Sequence, residues 1–250
     1  MNPQKTTKDF VQVGINKAKM GPLKTFVLAI FAGAFIALAG VASTIALATS
    51  GKLAAAAVFP IGLIFVIFFG AELFTGNCLM PIALLKKKIT AFNILENWLI
   101  VLLGNTVGAI LVAFLAVHMG TLDVFKDTIL ATANAKVDLS FAAAFWRGAF
   151  CNFLVCLAVW LAKGIENTGA KMLAIFMPVF LFVFCGFEHS IANIFYIPAG
   201  IFFGSTEVLN WWTFLGNNFI PVLLGNIVGG ACFLALPLYF LHLHKEKKNG

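Results

Sequence analysis

Charge is scarce in this 250-residue chain: Asp, Glu, Lys and Arg make up 11% of it, against 61% hydrophobic residues. A soluble domain is usually about a quarter charged and about half apolar, so the shortage excludes an ordinary water-soluble globule. Metal-ligand spacing is also missing. The five cysteines, Cys78, Cys151, Cys156, Cys185 and Cys232, are odd in number, lie in apolar stretches and read as packing residues. His242 and His244 sit among lysines near the carboxyl end and read as solvated, so neither a metal nor a cofactor is expected. The first 25 residues hold no apolar run long enough for a cleavable signal core. Phe10, Val11, Val13 and Ile15 fit instead a weakly amphipathic segment lying at a membrane surface, with a flexible tail as the competing reading.

What the chain does have is length of apolar run. A spanning helix needs about 20 mostly apolar residues, and six regions qualify: 26–49, 53–85, 94–118, 141–162, 172–203 and 211–241. The connections between them are short, so residues 1–250 read as a single channel domain. The net charge of +7 could suggest nucleic acid, but the basic residues lie almost entirely between spans, and no nucleic-acid partner is expected. With a cytoplasmic amino terminus, thirteen lysines fall inside: Lys5, Lys8, Lys17, Lys19, Lys24, Lys86, Lys87, Lys88, Lys163, Lys171, Lys245, Lys247 and Lys248. Only Lys52, Lys126 and Lys136 fall outside, and Arg147 lies within a span. This asymmetry predicts that both termini, including the tail 242–250, are cytoplasmic.

The sequence repeats itself. Asn97 to Gly108 (NWLIVLLGNTVG) matches Asn218 to Gly229 (NFIPVLLGNIVG) at eight of twelve positions, with Asn and Gly among the matches. Two weaker echoes accompany it: Gly33-Ala34-Phe35 with Gly148-Ala149-Phe150, and GAELFTGN from Gly70 with GFEHSIAN from Gly186. Three spans in each half, 26–118 and 141–241, turn the second repeat upside down relative to the first. The second and fifth regions exceed 30 residues, and a straight helix of that length would reach roughly 45 to 50 Å across a core of about 30 Å. Breaks are expected at Leu73 to Asn77 and at His189 to Asn193. Irregular backbone at membrane depth is tolerated where protein buries it or where it lines a wet cavity, so the two breaks mark a pathway. The half-helix after each break should present unpaired N–H groups and a positive dipole end, which favours an anion.

In these residues the chain resembles the formate/nitrite transporters, a family that includes hydrosulfide channels and lactate-conducting relatives. The resemblance runs from the first span onward and is most specific in GAELFTGN, CNFLVCLAVW from Cys151, and GFEHSIAN, in that order. It implies an all-α integral membrane protein with six transmembrane helices in two inverted three-helix repeats. It also implies an aquaporin-like protomer with broken second and fifth helices, assembled as a homopentamer in a bacterial or archaeal plasma membrane. By motif, the central histidine falls on His189, the loop threonine on Thr75, and the basic residue before the fourth span on Lys136. The apolar constrictions fall on Phe59, Leu63, Leu73, Phe74 and Phe182, and the pore-side asparagines on Asn152 and Asn193.

Each candidate has a plainer reading. His189, an ionisable group at membrane depth, is either functional or a neutral imidazole bonded to backbone. Glu72 and Glu188, one before each break, are read as scaffold rather than proton carriers: carboxylates that accept freed loop N–H groups and are buried or charge-compensated. Arg147 either snorkels to the outer interface or pairs with a buried carboxylate. Lys136 is a solvated loop lysine unless the resemblance makes it an anion-attracting charge at the mouth. Asn97, Asn105, Asn218 and Asn226 read as inter-helix hydrogen-bond partners beside the close-packing pairs Gly104/Gly108 and Gly225/Gly229.

The expected function is a channel for small monovalent weak-acid anions, formate or nitrite, with proton coupling at His189. Hydrosulfide, acetate and lactate are the alternatives within the family. From another class, an aquaporin-like neutral-solute channel would fit the repeat, yet the breaks lack paired Asn-Pro-Ala motifs and one contains a histidine. An enzyme is not expected, because no nucleophile, base and oxyanion-donor set accompanies His189 and Ser190. The expected partners are the anion, protons, lipid and further copies of the chain.

Overall fold

The structure, a computed structural model, describes residues 1–244; Lys245, Lys247 and Lys248 of the expected cytoplasmic tail lie outside the described residues. The described residues are helical with no strand. Helix α1 spans Pro3–Lys19, with the Asn2 side chain accepting from Lys5 N–H as its cap. It is followed by α2 (Pro22–Val58), α3 (Pro60–Phe69), the short turns α4 (Phe74–Asn77) and α5 (Pro81–Leu85), and α6 (Ala91–His118). A 3-10 turn at Asp123–Phe125 leads into α7 (Lys126–Val137), α8 (Phe141–Gly164), α9 (Thr168–Cys185) and α10 (Ser190–Phe203). The last helix, α11, runs Trp211–His242 and contains π-helical stretches at Phe214–Phe219 and Val228–Ala235.

The first long helix bends where Gly51 takes φ +82°, a conformation cheap only for glycine, and this separates the first two expected spans. The breaks lie a few residues earlier than the sequence suggests. Gly70 and Gly186, both left-handed (φ 74° and 71°), stop α3 and α9. The next N–H in each case, from Ala71 or Phe187, returns to Val66 or Phe182, which satisfies the last carbonyls of the helix. The non-helical backbone is therefore 70–73 and 186–189, while Phe74 to Asn77 and Ser190 to Asn193 form the first turns of the following half-helices.

The two halves make the same contacts. Gly104 and Gly108 of α6 lie against the α2 backbone, where an added Cβ would meet Phe26 and Ile30 carbonyls. Gly225 and Gly229 of α11 lie against the Phe145 and Ala149 carbonyls of α8 in the same way. This pairs Phe26 with Phe145 and Ile30 with Ala149, so the Gly33-Ala34-Phe35 echo with Gly148-Ala149-Phe150 is out of register by several residues. The equivalence also extends beyond three helices. In α1, Phe10 and Gly14 are buried and Gly14 faces the Ala83 methyl. In α7, Ile129 and Ala133 are buried and the Ala133 methyl faces Gly200. Each half thus begins with a short packed helix, and α1 is an ordered helix with one packed face rather than a loose tail. Of the cysteines, Cys78, Cys151 and Cys156 are buried as packing residues, whereas Cys185 and Cys232 are exposed.

Candidate functional site

The breaks are held by matched hydrogen-bond networks. Asn105 Oδ1 accepts the Phe74 N–H at 2.9 Å while its Nδ2 donates to the Ala29 and Glu72 carbonyls. Asn226 Oδ1 accepts the Ser190 N–H at 2.9 Å while its Nδ2 donates to the Gly148 and Glu188 carbonyls. Both asparagines are fully buried, and each amide satisfies one N–H and one carbonyl of the break while tying the loop to a carbonyl of the neighbouring helix, α2 or α8. The leading N–H of each half-helix is therefore taken by asparagine, not by Glu72 or Glu188 as the sequence suggested, and is already occupied rather than offered to an anion.

The carboxylates are buried and compensated as expected, by specific partners. Glu72 accepts from Lys17 Nζ at 2.6 Å and from Asn77 Nδ2 at 2.8 Å, and Asn77 also donates to Asn97 Oδ1. Glu188 accepts from Lys136 Nζ at 3.0 Å and from Asn193 Nδ2 at 2.6 Å, and Asn193 also donates to Asn218 Oδ1. Lys136 is consequently not a solvated loop residue, and its charge is largely cancelled by Glu188. Lys17 is its counterpart in the first half and was missed as a site residue. A signal existed: Lys17 precedes Pro22, the start of α2, by the same interval that separates Lys136 from Phe141, the start of α8.

Two cavities approach each other between the breaks, called inner and outer after the sides expected from the charge distribution. The inner one, about 480 Å³, is lined by α1 residues including Phe10 and Lys17, and by Glu72, Leu73 and Asn77. The outer one, about 360 Å³, is lined by Lys136, Glu188, His189, Asn193, Phe59 and Phe182 among others. Only about 10 Å³ of free space lies in the neck between them, where Ile36, Phe59, Leu63, Leu73, Val155, Val179, Phe182 and His189 converge. Leu63 and Leu73 face both the neck and the inner cavity; Phe59 and Phe182, ring centroids 5.9 Å apart and edge to face, face both the neck and the outer cavity. Four of the five expected constriction residues thus come together. Phe74 does not: its ring packs edge-on against Trp98, 5.8 Å away, and it lines neither cavity nor neck.

His189 is the polar member of the neck. Its Nδ1 accepts the Ala192 N–H at 3.0 Å and so caps α10, which leaves the ring proton of a neutral imidazole on Nε2, 3.0 Å from Thr75 Oγ1. Thr75 is fully buried, and its carbonyl accepts the Cys156 thiol at 3.2 Å. Asn193 lines the outer cavity, but Asn152, fully buried, is committed to the Asn226 carbonyl through Nδ2 and lines neither of the two cavities nor the neck. Arg147 is exposed at the outer cavity and pairs with no carboxylate among the described residues; its carbonyl accepts the Glu188 N–H at 3.2 Å.

Two cavities separated by an apolar neck whose single polar lining residue, His189, is hydrogen-bonded to the buried Thr75 suit permeation of a small solute and leave no room for a large one. The family model described as formate/nitrite transporter matches residues 4–240. The chain belongs to the formate/nitrite transporter family. A probable formate transporter of Methanothermobacter thermautotrophicus is 40% identical over 97% of this chain and 97% of its own length. Among solved structures, an ion channel of the formate/nitrite transporter family superposes with TM-score 0.88 at 28% identity, covering 95% of this chain and 98% of that one. A pentameric formate channel with formate bound superposes with TM-score 0.79 at 32% identity, covering 89% and 98%. Membership in the formate/nitrite transporter family makes this chain a multi-pass membrane transport protein rather than an enzyme, and its all-helical fold is that of the family's channels.

Proposed function

We propose that the chain conducts a small monovalent weak-acid anion, formate or nitrite, as a homopentamer with one pathway in each protomer. The observation that carries this reading is the neck: an apolar constriction of about 10 Å³ with the His189–Thr75 hydrogen bond at its edge, set between the inner and outer cavities. A bare charge is costly in so dry a passage, whereas a small neutral acid is not. An anion that gathers in a cation-rich cavity therefore crosses in its protonated form, and the Nε2–H of His189 with the hydroxyl of Thr75 supplies the polar contact there. The relatives named formate transporter and formate channel, and the pentamer seen with formate bound, support the substrate class and the assembly.

Proton coupling at His189 has a structural consequence. A second proton must go to Nδ1, and Nδ1 is engaged by the Ala192 N–H, so proton uptake uncaps the first turn of α10. The expected placement of the chain in a bacterial or archaeal plasma membrane with both termini cytoplasmic is part of the same proposal. Flux of formate, nitrite, acetate, lactate and hydrosulfide in competition, through purified protein in liposomes at fixed pH, tests the reading. Selective passage of a small weak-acid anion is expected; passage of water or glycerol with none of these anions would overturn it in favour of a neutral-solute channel.

A further inference from the structure

The outer cavity is lined by three cations, Lys52, Lys136 and Arg147, and one carboxylate, Glu188. Lys136 and Glu188 form an ion pair with both side chains largely buried, so the surplus positive charge belongs to Lys52 and Arg147. Lys52 lies over the Phe184 ring with Nζ 5.5 Å from its centroid, and Arg147 makes no ion pair among the described residues. An unpaired guanidinium on a spanning helix is costly unless water or an anion meets it.

The backbone of Arg147 is also firmly placed. It lies one turn before the buried Cys151 and one turn after the buried Ala144, exposed at the edge of the packed α8 face, and its carbonyl holds the Glu188 N–H at 3.2 Å. Its side chain therefore leaves from a fixed point beside the outer break. Guanidinium is planar, always charged and offers a fork of donors that matches two oxygens at once; an ammonium offers a point charge. At the equivalent place in the first half, Leu28 supplies the carbonyl that holds the Glu72 N–H, and the inner cavity has only the lysines Lys17, Lys163 and Lys171.

We propose that Arg147 is an anion-recognition residue of the outer cavity, selecting planar two-oxygen monoanions such as formate, nitrite and acetate over hydrosulfide, which has no second acceptor to fill the fork. The inference rests on the proposed function and deepens it. The contact is made in a hydrated cavity, so it is weak enough to release the anion to the neck, as conduction requires.

The test compares wild type with Arg147→Lys, which keeps the charge and removes the fork, in right-side-out and inside-out vesicles. The readout is the concentration of formate, and separately of hydrosulfide, that half-saturates flux from each face. Loss of the bidentate contact should raise the half-saturating formate concentration on the outer face by about tenfold. Hydrosulfide on that face, and formate on the inner face, should be little changed. A structural defect would instead shift all of these together. An unchanged outer value for formate, or equal shifts for formate and hydrosulfide, overturns the recognition role. A wild type that conducts neither anion overturns the function on which the inference rests, and the inference with it.

Discussion

The two breaks share a scaffold and differ in their chemistry. Each has a left-handed glycine, a buried glutamate with a lysine partner, an asparagine one turn into the half-helix and a second asparagine that cradles the loop. The same step in sequence that relates Glu72 to Glu188 and Asn77 to Asn193 relates Leu73 to His189 and Thr75 to Ile191. The polar pair at the neck, His189 lining it and the buried Thr75 hydrogen-bonded to His189, is therefore assembled from one residue of each half, histidine where the first half has leucine and threonine where the second has isoleucine. The half-helices differ as well: α10 continues for 14 residues, whereas α4 is a four-residue turn followed by the short α5. Symmetry supplies the frame, and its violation supplies the one polar contact in an otherwise apolar passage.

The strongest test of the comparison is all-or-none. In a background lacking the native cysteines, single cysteines at Thr90 and Thr128 should react with a membrane-impermeant reagent from opposite sides. Reaction from one shared side would mean that the repeats are not inverted.

Removing a loop cradle should come next in effect. Asn105→Leu or Asn226→Leu leaves one buried N–H and one buried carbonyl of the break unpaired, each costing about 1–3 kcal/mol, and both variants should lose assembled protein on size-exclusion chromatography. A normal oligomer from either would show that the cradles are dispensable.

The ion pairs should rank below the cradles and equal to one another. Lys17→Met and Lys136→Met each leave a buried glutamate uncompensated, a loss of about 3–5 kcal/mol for a buried pair. Thermal stability in detergent should fall in both and recover in part when the partner is also changed, in Lys17→Met/Glu72→Gln and Lys136→Met/Glu188→Gln. A stable Lys17→Met beside an unstable Lys136→Met would break the equivalence of α1 and α7.

His189→Asn should leave assembly intact, because asparagine also caps a helix, and should abolish the steep change of formate flux from mildly acidic to neutral pH. An assembled variant that keeps the wild-type pH profile would remove His189 from proton coupling. The smallest contrast concerns the neck. Phe182→Ala should widen it and admit larger acids such as lactate, whereas Phe74→Leu, away from the neck, should alter selectivity little, as relative flux of formate and lactate would reveal.

Much of the frame was legible in the sequence because it depends on local signals. The apolar runs set the spans, Gly104/Gly108 and Gly225/Gly229 marked the close helix contacts, and the paired glutamates stood beside the breaks. The breaks start ahead of the polar run from Thr75 to Asn77, because the left-handed backbone of Gly70 already ends the helix, and a glycine within an apolar stretch carries little sequence signal of its conformation. The position of Phe74 away from the neck has a related cause. Leu73 and Phe74 are adjacent in sequence, but Leu73 is the last extended residue and Phe74 the first of a helical turn, and their side chains leave in different directions.

By itself the sequence determined the class of protein, the number of apolar regions and the internal duplication, because burial in lipid and close helix packing leave periodic, composition-level marks. Tertiary structure alone decided which residues meet in the neck. Phe59 and Leu63 come from the α2–α3 junction and α3, Phe182 from α9, and Leu73 and His189 from the two breaks, and no pattern along the chain encodes a contact among segments so far apart. It also decided which charges are free. Lys17 and Lys136 look like any loop lysines until the fold carries each to a buried glutamate, and Arg147 is left over because the fold carries none to it.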